Sequence, residues 1–243
     1  YFAPLRLWQR ILEVDQKRGR DGESNHDIGG DIIPHMIEEG KINVQVFPFD
    51  GFWADVGEPT ALYETCRAIF LNRDPDIFGD PANPIGSSGD HNFYSNNGLR
   101  YFTSGNFSLE NSAVNGSIFS PGVEVRNSEV IDSILLGQTE GNYLSINNST
   151  IRNVIIDKMC NINQAEIISD EGLVVVARRT IIAKDVKIHP KGNAVVASFT
   201  ELVDKIHRLE KYIQATGAEL YDNFGTKYTF DELVEKKARQ GQA

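Results

Sequence analysis

Apolar residues recur at helical spacing near the start of the chain, at Phe2, Leu5, Trp8, Ile11 and Leu12, until the polar, glycine-containing segment GRDGESN breaks the pattern. Ile32, Ile33, Met36 and Ile37 then mark a short helix, which Pro34 permits only within the first turn. Residues 42–49, INVQVFPF, alternate apolar with polar side chains as a strand does, and Pro48 signals its end. Helical spacing returns over 58–71 through Leu62, Cys66, Ile69 and Phe70. Helix and strand in alternation within about seventy residues predict part of an α/β domain over 1–72. Loop signals dominate 73–99, with Pro75, Pro81 and Pro84 among Gly79, Gly86 and Gly89, and predict a linker.

Over 100–196 the periodicity changes. Ala113, Phe119, Val125 and Ile131 stand six apart, as do Leu144, Thr150, Ile156, Ile162 and Ile168, with Asn, Ser, Gly and Asp between them and an offset at GQTEGN. A six-residue repeat scatters around a helical cylinder, so it predicts short strands joined by tight polar corners, a hexapeptide β-helix. A β-sandwich with accidental spacing is the alternative. The Asn-x-Ser/Thr sequences at Asn106, Asn115, Asn147 and Asn148 fit corners, since Asn and Ser both favour them. In the last segment, 197–243, Phe199, Leu202, Val203, Ile206, Leu209 and Ile213 form one amphipathic helical stripe that Gly217 ends. A second helix is predicted over 230–238.

Composition narrows the function. Of 243 residues, 40% are hydrophobic and 24% charged, an ordinary globular balance. Lys and Arg number 24 against 34 Asp and Glu, a formal charge of -10 that argues against a general affinity for nucleic acid or anionic membrane but leaves room for a local anion site. No apolar run approaches the ~18 residues that span a bilayer, and no signal-peptide pattern opens the chain. Cys66 and Cys160 cannot build a disulfide framework, which makes a reducing cytoplasm the expected setting. The chain opens on Tyr1 in a pattern that already reads as structured, as a piece of a longer protein would.

Three places carry candidate chemistry. Asp55, in GFWADVG, follows the predicted strand between glycines that let a ligand approach; a metal-binding or catalytic carboxylate and an exposed structural one both fit. In SNHDIGGD, Asp27 or His26 could bond a polar substrate, whereas Asp27 or Asp31 could equally cap the next helix. Lys158, Arg178 and Arg179, followed by Lys184, Lys187 and Lys191, could hold a phosphorylated effector or form a solvated face. Neither a GxGxxG nor a GxxxxGK loop occurs, and the five histidines are scattered.

HDIGGDIIP, then FWADVG before a helix, then six-residue repeats ending in IIDK, then EGLVVVARRTII, in that order over residues 1–183, resemble the C-terminal half of bacterial glucose-1-phosphate adenylyltransferase. GDP-mannose-forming guanylyltransferases share the architecture and match IIDK and VVVAR less well. The resemblance implies the end of a nucleotidyltransferase α/β domain, then a left-handed β-helix. It also implies an enzyme that makes ADP-glucose and pyrophosphate from ATP and glucose 1-phosphate with magnesium, for glycogen synthesis, as a homo-oligomer, a tetramer in the family.

By the same resemblance Asp55 is the second metal-binding aspartate, Asp27 lies near the glucose phosphate, and Lys158 and Arg178, with Arg179 beside them, belong to the effector site. The family's glycine-rich nucleotide loop, first metal-binding aspartate and sugar-phosphate lysine have no counterpart here, so the chain alone is expected to be inactive. An arginine expected beyond Arg178 falls on Ile182, and the tail from about Ser198 matches no family motif. The competing expectation is a non-catalytic regulatory or scaffold module that assembles through its β-helix.

Overall fold

The computed structural model describes residues 1–72, 91–96, 99–137 and 143–240. They divide into two compact units, 1–51 and 52–243. Most of the predicted linker, 73–90 with 97 and 98, lies outside the described residues. Its end does not behave as a linker: β1 (His91–Asn96) pairs antiparallel with β2 (Leu99–Ser104).

In the first unit, α1 (Leu5–Arg20) and α2 (Ile33–Glu38) pack around Ile11, Ile32 and Met36. Pro34 sits in the first turn of α2, where its missing N–H costs no helical bond. A π-helical turn, Ile28–Ile32, leads into it. The strand predicted over 42–49 does not form. No strand among the described residues runs beside it, and a lone strand leaves its backbone groups without ladder partners. Val46 and Phe47 are accordingly 89% and 86% exposed.

The second unit is a β-solenoid. Successive strand triplets, β3 (Phe107–Glu110), β4 (Ala113–Asn115) and β5 (Ser117–Phe119), then β6 (Val123–Arg126), β7 (Glu129–Ile131) and β8 (Ile134–Leu135), send one strand to each of three parallel sheets. The pattern continues through β9 (Leu144–Asn147), β10 (Thr150–Arg152) and β11 (Val154–Ile156), then β12 (Asn161–Asn163), β13 (Glu166–Ile168) and β14 (Val174–Val176), and ends at β15 (Ile181–Ile182), β16 (Lys187–Ile188) and β17 (Ala194–Ala197).

The steps are not uniformly six. Phe107 lies beside Val123, sixteen residues on, and Ser145 beside Asn161, again sixteen, while Val123 to Leu144 takes twenty-one and Asn161 to Ile181 twenty. Buried inward positions run Val114, Phe119, Val125, Val130 and Leu135, then Ile146, Ile151, Ile156, Ile162 and Ile167, in steps of five or six. The six-residue series therefore drifts off the core: Ala113 is exposed, and Ile131, Thr150 and Ile168 are half-buried flankers of inward residues. In β7, β10 and β13 this follows from strand geometry, because side chains alternate in direction and only the middle one of three faces in.

Corners close through left-handed residues and serine ladders. Asn111, Asn127 and Asn148 have φ near +48°, which Asn tolerates better than most residues. Next to them, the Ser128 N–H donates to Ser112 Oγ, the Ser149 N–H to Ser128 Oγ and the Ala165 N–H to Ser149 Oγ, each at 3.1 Å. Each serine hydroxyl in turn donates to a carbonyl two residues back. The Asn-x-Ser sequences at Asn115 and Asn147 supply such serines.

The sheet containing β5, β8, β11, β14 and β17 is covered on its outer face. α3 (Pro59–Asn72), grouped by the sequence with residues 1–72, packs there: Leu71 clusters with Ile118, Ile134 and Ile155, Tyr63 Oη donates to Asp132 O at 2.6 Å, and Arg67 lies 2.8 Å from the Asp132 carboxylate. Further along, α4 (Phe199–Thr216) covers Val195 and Ala197 with Leu202, Val203 and Ile206. Ser198 caps α4 through the Glu201 N–H, and Gly217, at φ +66°, ends it. β18 (Glu219–Asp222) extends the same sheet beside β17 and pairs with β19 (Lys227–Tyr228). Between them, Asn223 bonds the backbone at Ile181 and Ala183, covering an otherwise open edge at β15. α5 (Phe230–Gln240) begins with a reciprocal Thr229–Glu232 capping box.

Candidate functional site

In the first unit, Asp27 caps the π-helical turn: its Oδ1 accepts the Gly30 N–H, and Asp31 Oδ2 accepts the N–H groups of Asn25 and Asp27. Of the two roles the sequence left open for Asp27, capping is the one its contacts display. Beneath this loop lies a cluster that sequence reasoning missed. Asp15 is 4% exposed on α1; Ser24 Oγ donates to its Oδ1 at 2.5 Å, and His26 Nδ1 lies 2.6 Å from its Oδ2. The signal was an aspartate in an apolar slot, four residues beyond Ile11 on the helix face that buries it. Gly19 makes room for the histidine, because a Cβ there would stand 2.1 Å from His26 Cε1.

Hydrogen bonds from Ser24 and then His26, with the Arg18 charge nearby, hold the Asp15 carboxyl below its usual range. A carboxylate with a lowered folded pKa stabilises the fold above its unfolded value, near 3.9, and loses that contribution as pH falls through the folded one. Amide exchange of α1 is therefore expected to accelerate as pH falls below about 4, after correction for intrinsic exchange. Asp15→Asn should remove that acid-dependent part. An unchanged acid profile in the variant would assign the effect elsewhere.

Asp55 lies in the extended run before α3, and it is exposed. Its Oδ1 accepts the Gly57 N–H at 3.0 Å, a local turn that fixes one oxygen and leaves the other to solvent. Phe52 and Trp53 beside it are 49% and 75% exposed. No group of three or more His, Cys, Asp or Glu among the described residues is arranged to hold a metal. Asp55 alone can offer one carboxylate, which suits magnesium only when substrate phosphates and a further carboxylate complete the shell.

Lys158 and Arg179 meet at neighbouring corners of the solenoid, where the Arg179 N–H donates to Lys158 O at 3.0 Å. Arg179 is exposed with φ +63°, and Lys158 is half-buried. Arg178, also exposed, lies on the wall of a cavity of about 500 Å³ that neither Lys158 nor Arg179 lines. The structure thus brings Lys158 and Arg179 together and turns Arg178 into a separate cleft. Cys160 lies inside the core, donates to Ala177 O, and burial pushes its thiol up to about 12, so it is not a nucleophile. Neither cysteine is in a disulfide. Among the described residues no helix is long and apolar enough to cross a membrane.

No family model matches the chain. Curated relatives do. A glucose-1-phosphate adenylyltransferase of Fervidobacterium nodosum is 30% identical over 126 residues, 50% of this chain and 26% of that enzyme. One of Thermotoga neapolitana is 33% identical over 81 residues, covering 33% and 18%, and one of Bacillus cereus 37% over 57 residues, covering 24% and 15%. The matched part spans about a quarter or less of each relative. Over half its length, in a β-solenoid chain, this protein is similar to the glucose-1-phosphate adenylyltransferases.

Proposed function

We propose that these 243 residues are part of a glucose-1-phosphate adenylyltransferase, which forms ADP-glucose and pyrophosphate from ATP and glucose 1-phosphate for glycogen synthesis. The similarity to the Fervidobacterium enzyme over half the chain carries this reading, and the β-solenoid supports it. The relatives named are adenylyltransferases, which favours this reading over a guanylyltransferase or a silent scaffold.

Within that enzyme, Asp55 is assigned to the metal and Asp27 to the neighbourhood of the sugar phosphate. Lys158, Arg178 and Arg179 are assigned to a phosphorylated effector. Magnesium, when bound, would neutralise phosphate charge as the sugar phosphate attacks the α-phosphorus. The exposed Asp55 carboxylate, with one oxygen tied to Gly57 and one free, is compatible with that role. The sequence contains no glycine-rich phosphate loop, so turnover is assigned to the larger enzyme rather than to these residues alone. A cytoplasmic homo-oligomer is part of the same reading.

Substrate choice tests it. The protein encoded by the whole reading frame is expected to use ATP with glucose 1-phosphate far better than GTP with mannose 1-phosphate, measured by pyrophosphate release. The reverse preference would replace the adenylyltransferase reading with a guanylyltransferase.

A further inference from the structure

In the first unit, the loop that carries Asp27 is tied to α1 by polar bonds. The Asp15 carboxylate is the anchor: one oxygen accepts Ser24 Oγ and the other faces His26 Nδ1, while the His26 N–H donates to Ser24 Oγ at 3.1 Å. Arg18, one turn further along α1, donates to Glu23 O at 3.1 Å and to Asp31 O at 3.3 Å, which ties both ends of the loop. A cavity of about 600 Å³ is lined by Leu12 and Gln16 of α1 and by His26 and Ile28 of the loop. Close packing does not join loop to helix there, so the bonds to Asp15 carry the attachment.

Serine, histidine and aspartate in one cluster suggest a nucleophile, and the geometry excludes one. In a catalytic triad the imidazole stands between the other two, with the hydroxyl on one nitrogen and the carboxylate on the other. Ser24 instead bonds the carboxylate directly, at 2.5 Å, so the base that would take its proton is not its partner. The cluster acts on backbone shape. His26 has φ +67°, a left-handed value uncommon outside glycine, and it directly precedes Asp27. Such a conformation persists where the surrounding bonds over-determine it, and Asp15 holds His26 both through the ring and through Ser24. Asp27 follows, exposed, with one carboxylate oxygen on the Gly30 N–H and the other without a partner among the described residues.

We infer that Asp15 is a positioning residue: through Ser24 and His26 it sets the backbone that presents the free Asp27 oxygen to a hydroxyl of the sugar phosphate. A carboxylate suits a sugar hydroxyl, which donates to it, better than the phosphate, which repels it. Asp15 itself, 4% exposed, is too deep to touch substrate. Its charge makes the bonds to Ser24 and His26 stronger than neutral ones, which keeps the loop in one shape. The inference rests on the sugar-phosphate reading of Asp27 and adds the residues that fix its geometry.

Kinetics and amide exchange of the protein of the whole reading frame test it. Ser24→Ala and His26→Asn each remove one bond to Asp15, and Asn tolerates the left-handed backbone at 26. Each is expected to raise KM for glucose 1-phosphate at least about fivefold while KM for ATP stays within about twofold of the parent. Ser24→Thr, which keeps the hydroxyl, should retain the parental KM. With Asp27→Asn already in place, Ser24→Ala and His26→Asn should add little, since they act through that residue. Amide exchange over residues 24–31 should quicken in both variants. Unchanged exchange, equal rises in both KM values, or losses that simply add to that of Asp27→Asn overturn the inference. Parental kinetics in Ser24→Ala and His26→Asn beside an impaired Asp27→Asn overturn it alone, whereas a parental Asp27→Asn overturns the sugar-phosphate reading of Asp27 and the inference with it.

Discussion

Asp55→Asn, made in the protein of the whole reading frame, is expected to lower kcat by about 10²–10³ without lowering the melting temperature. The asparagine side chain keeps an oxygen that can accept the Gly57 N–H, so the turn before α3 survives. What it loses is the charge, and with it one ligand for a hard cation, because magnesium is held through carboxylate oxygens and phosphates. Exposure of Asp55 makes the experiment clean: no buried carboxylate is neutralised and no packing is lost. Turnover measured across a magnesium titration is the check. A near-parental rate with unchanged magnesium dependence would remove Asp55 from the metal site.

Two adjacent isoleucines carry the second large effect. Ile167 is fully buried at the centre of β13, whereas Ile168, the member of the six-residue series, is half-buried at its end. Ile167→Ala should destabilise the solenoid by about 3–4 kcal/mol, the cost of lost burial plus a residual cavity. Ile168→Ala should cost under about 1 kcal/mol. Urea melts followed by circular dichroism compare the two under one set of conditions. Equal losses, or a larger one at Ile168, would restore the six-residue register and contradict the five- and six-residue steps described here.

That pair also shows what the sequence could and could not reveal. Recurrent apolar residues separated by Asn, Ser and Gly were enough to identify short strands and tight corners, because few other architectures use such a pattern. The register was not legible. In β7 and β13 one inward side chain sits between two flankers, and Ile occupies both kinds of position, flanking at Ile131 and Ile168 and inward at Ile167. A second signal was available in the triple apolar runs Val154–Ile156 and Val174–Val176 against Asn161–Asn163: a strand apolar at every position is covered on both faces. Those runs mark the sheet on which α3 and α4 lie.

The candidate site was partly legible. Arg178 was singled out from its charge, but its separation from Lys158 and Arg179 depends on which way a corner turns, and spacing does not encode that. Asp15 was hidden because its partners Ser24 and His26 lie across a loop. The alternating 42–49 segment failed for a different reason, since a strand is defined by its neighbour and this one has none among the described residues.

Pyrophosphate release from ATP and glucose 1-phosphate, compared between these 243 residues alone and the protein of the whole reading frame, tests the central claim most directly. The account predicts no turnover from the chain alone and magnesium-dependent turnover from the whole-frame protein. Turnover by the 243 residues alone, or none from the whole-frame protein, would contradict it.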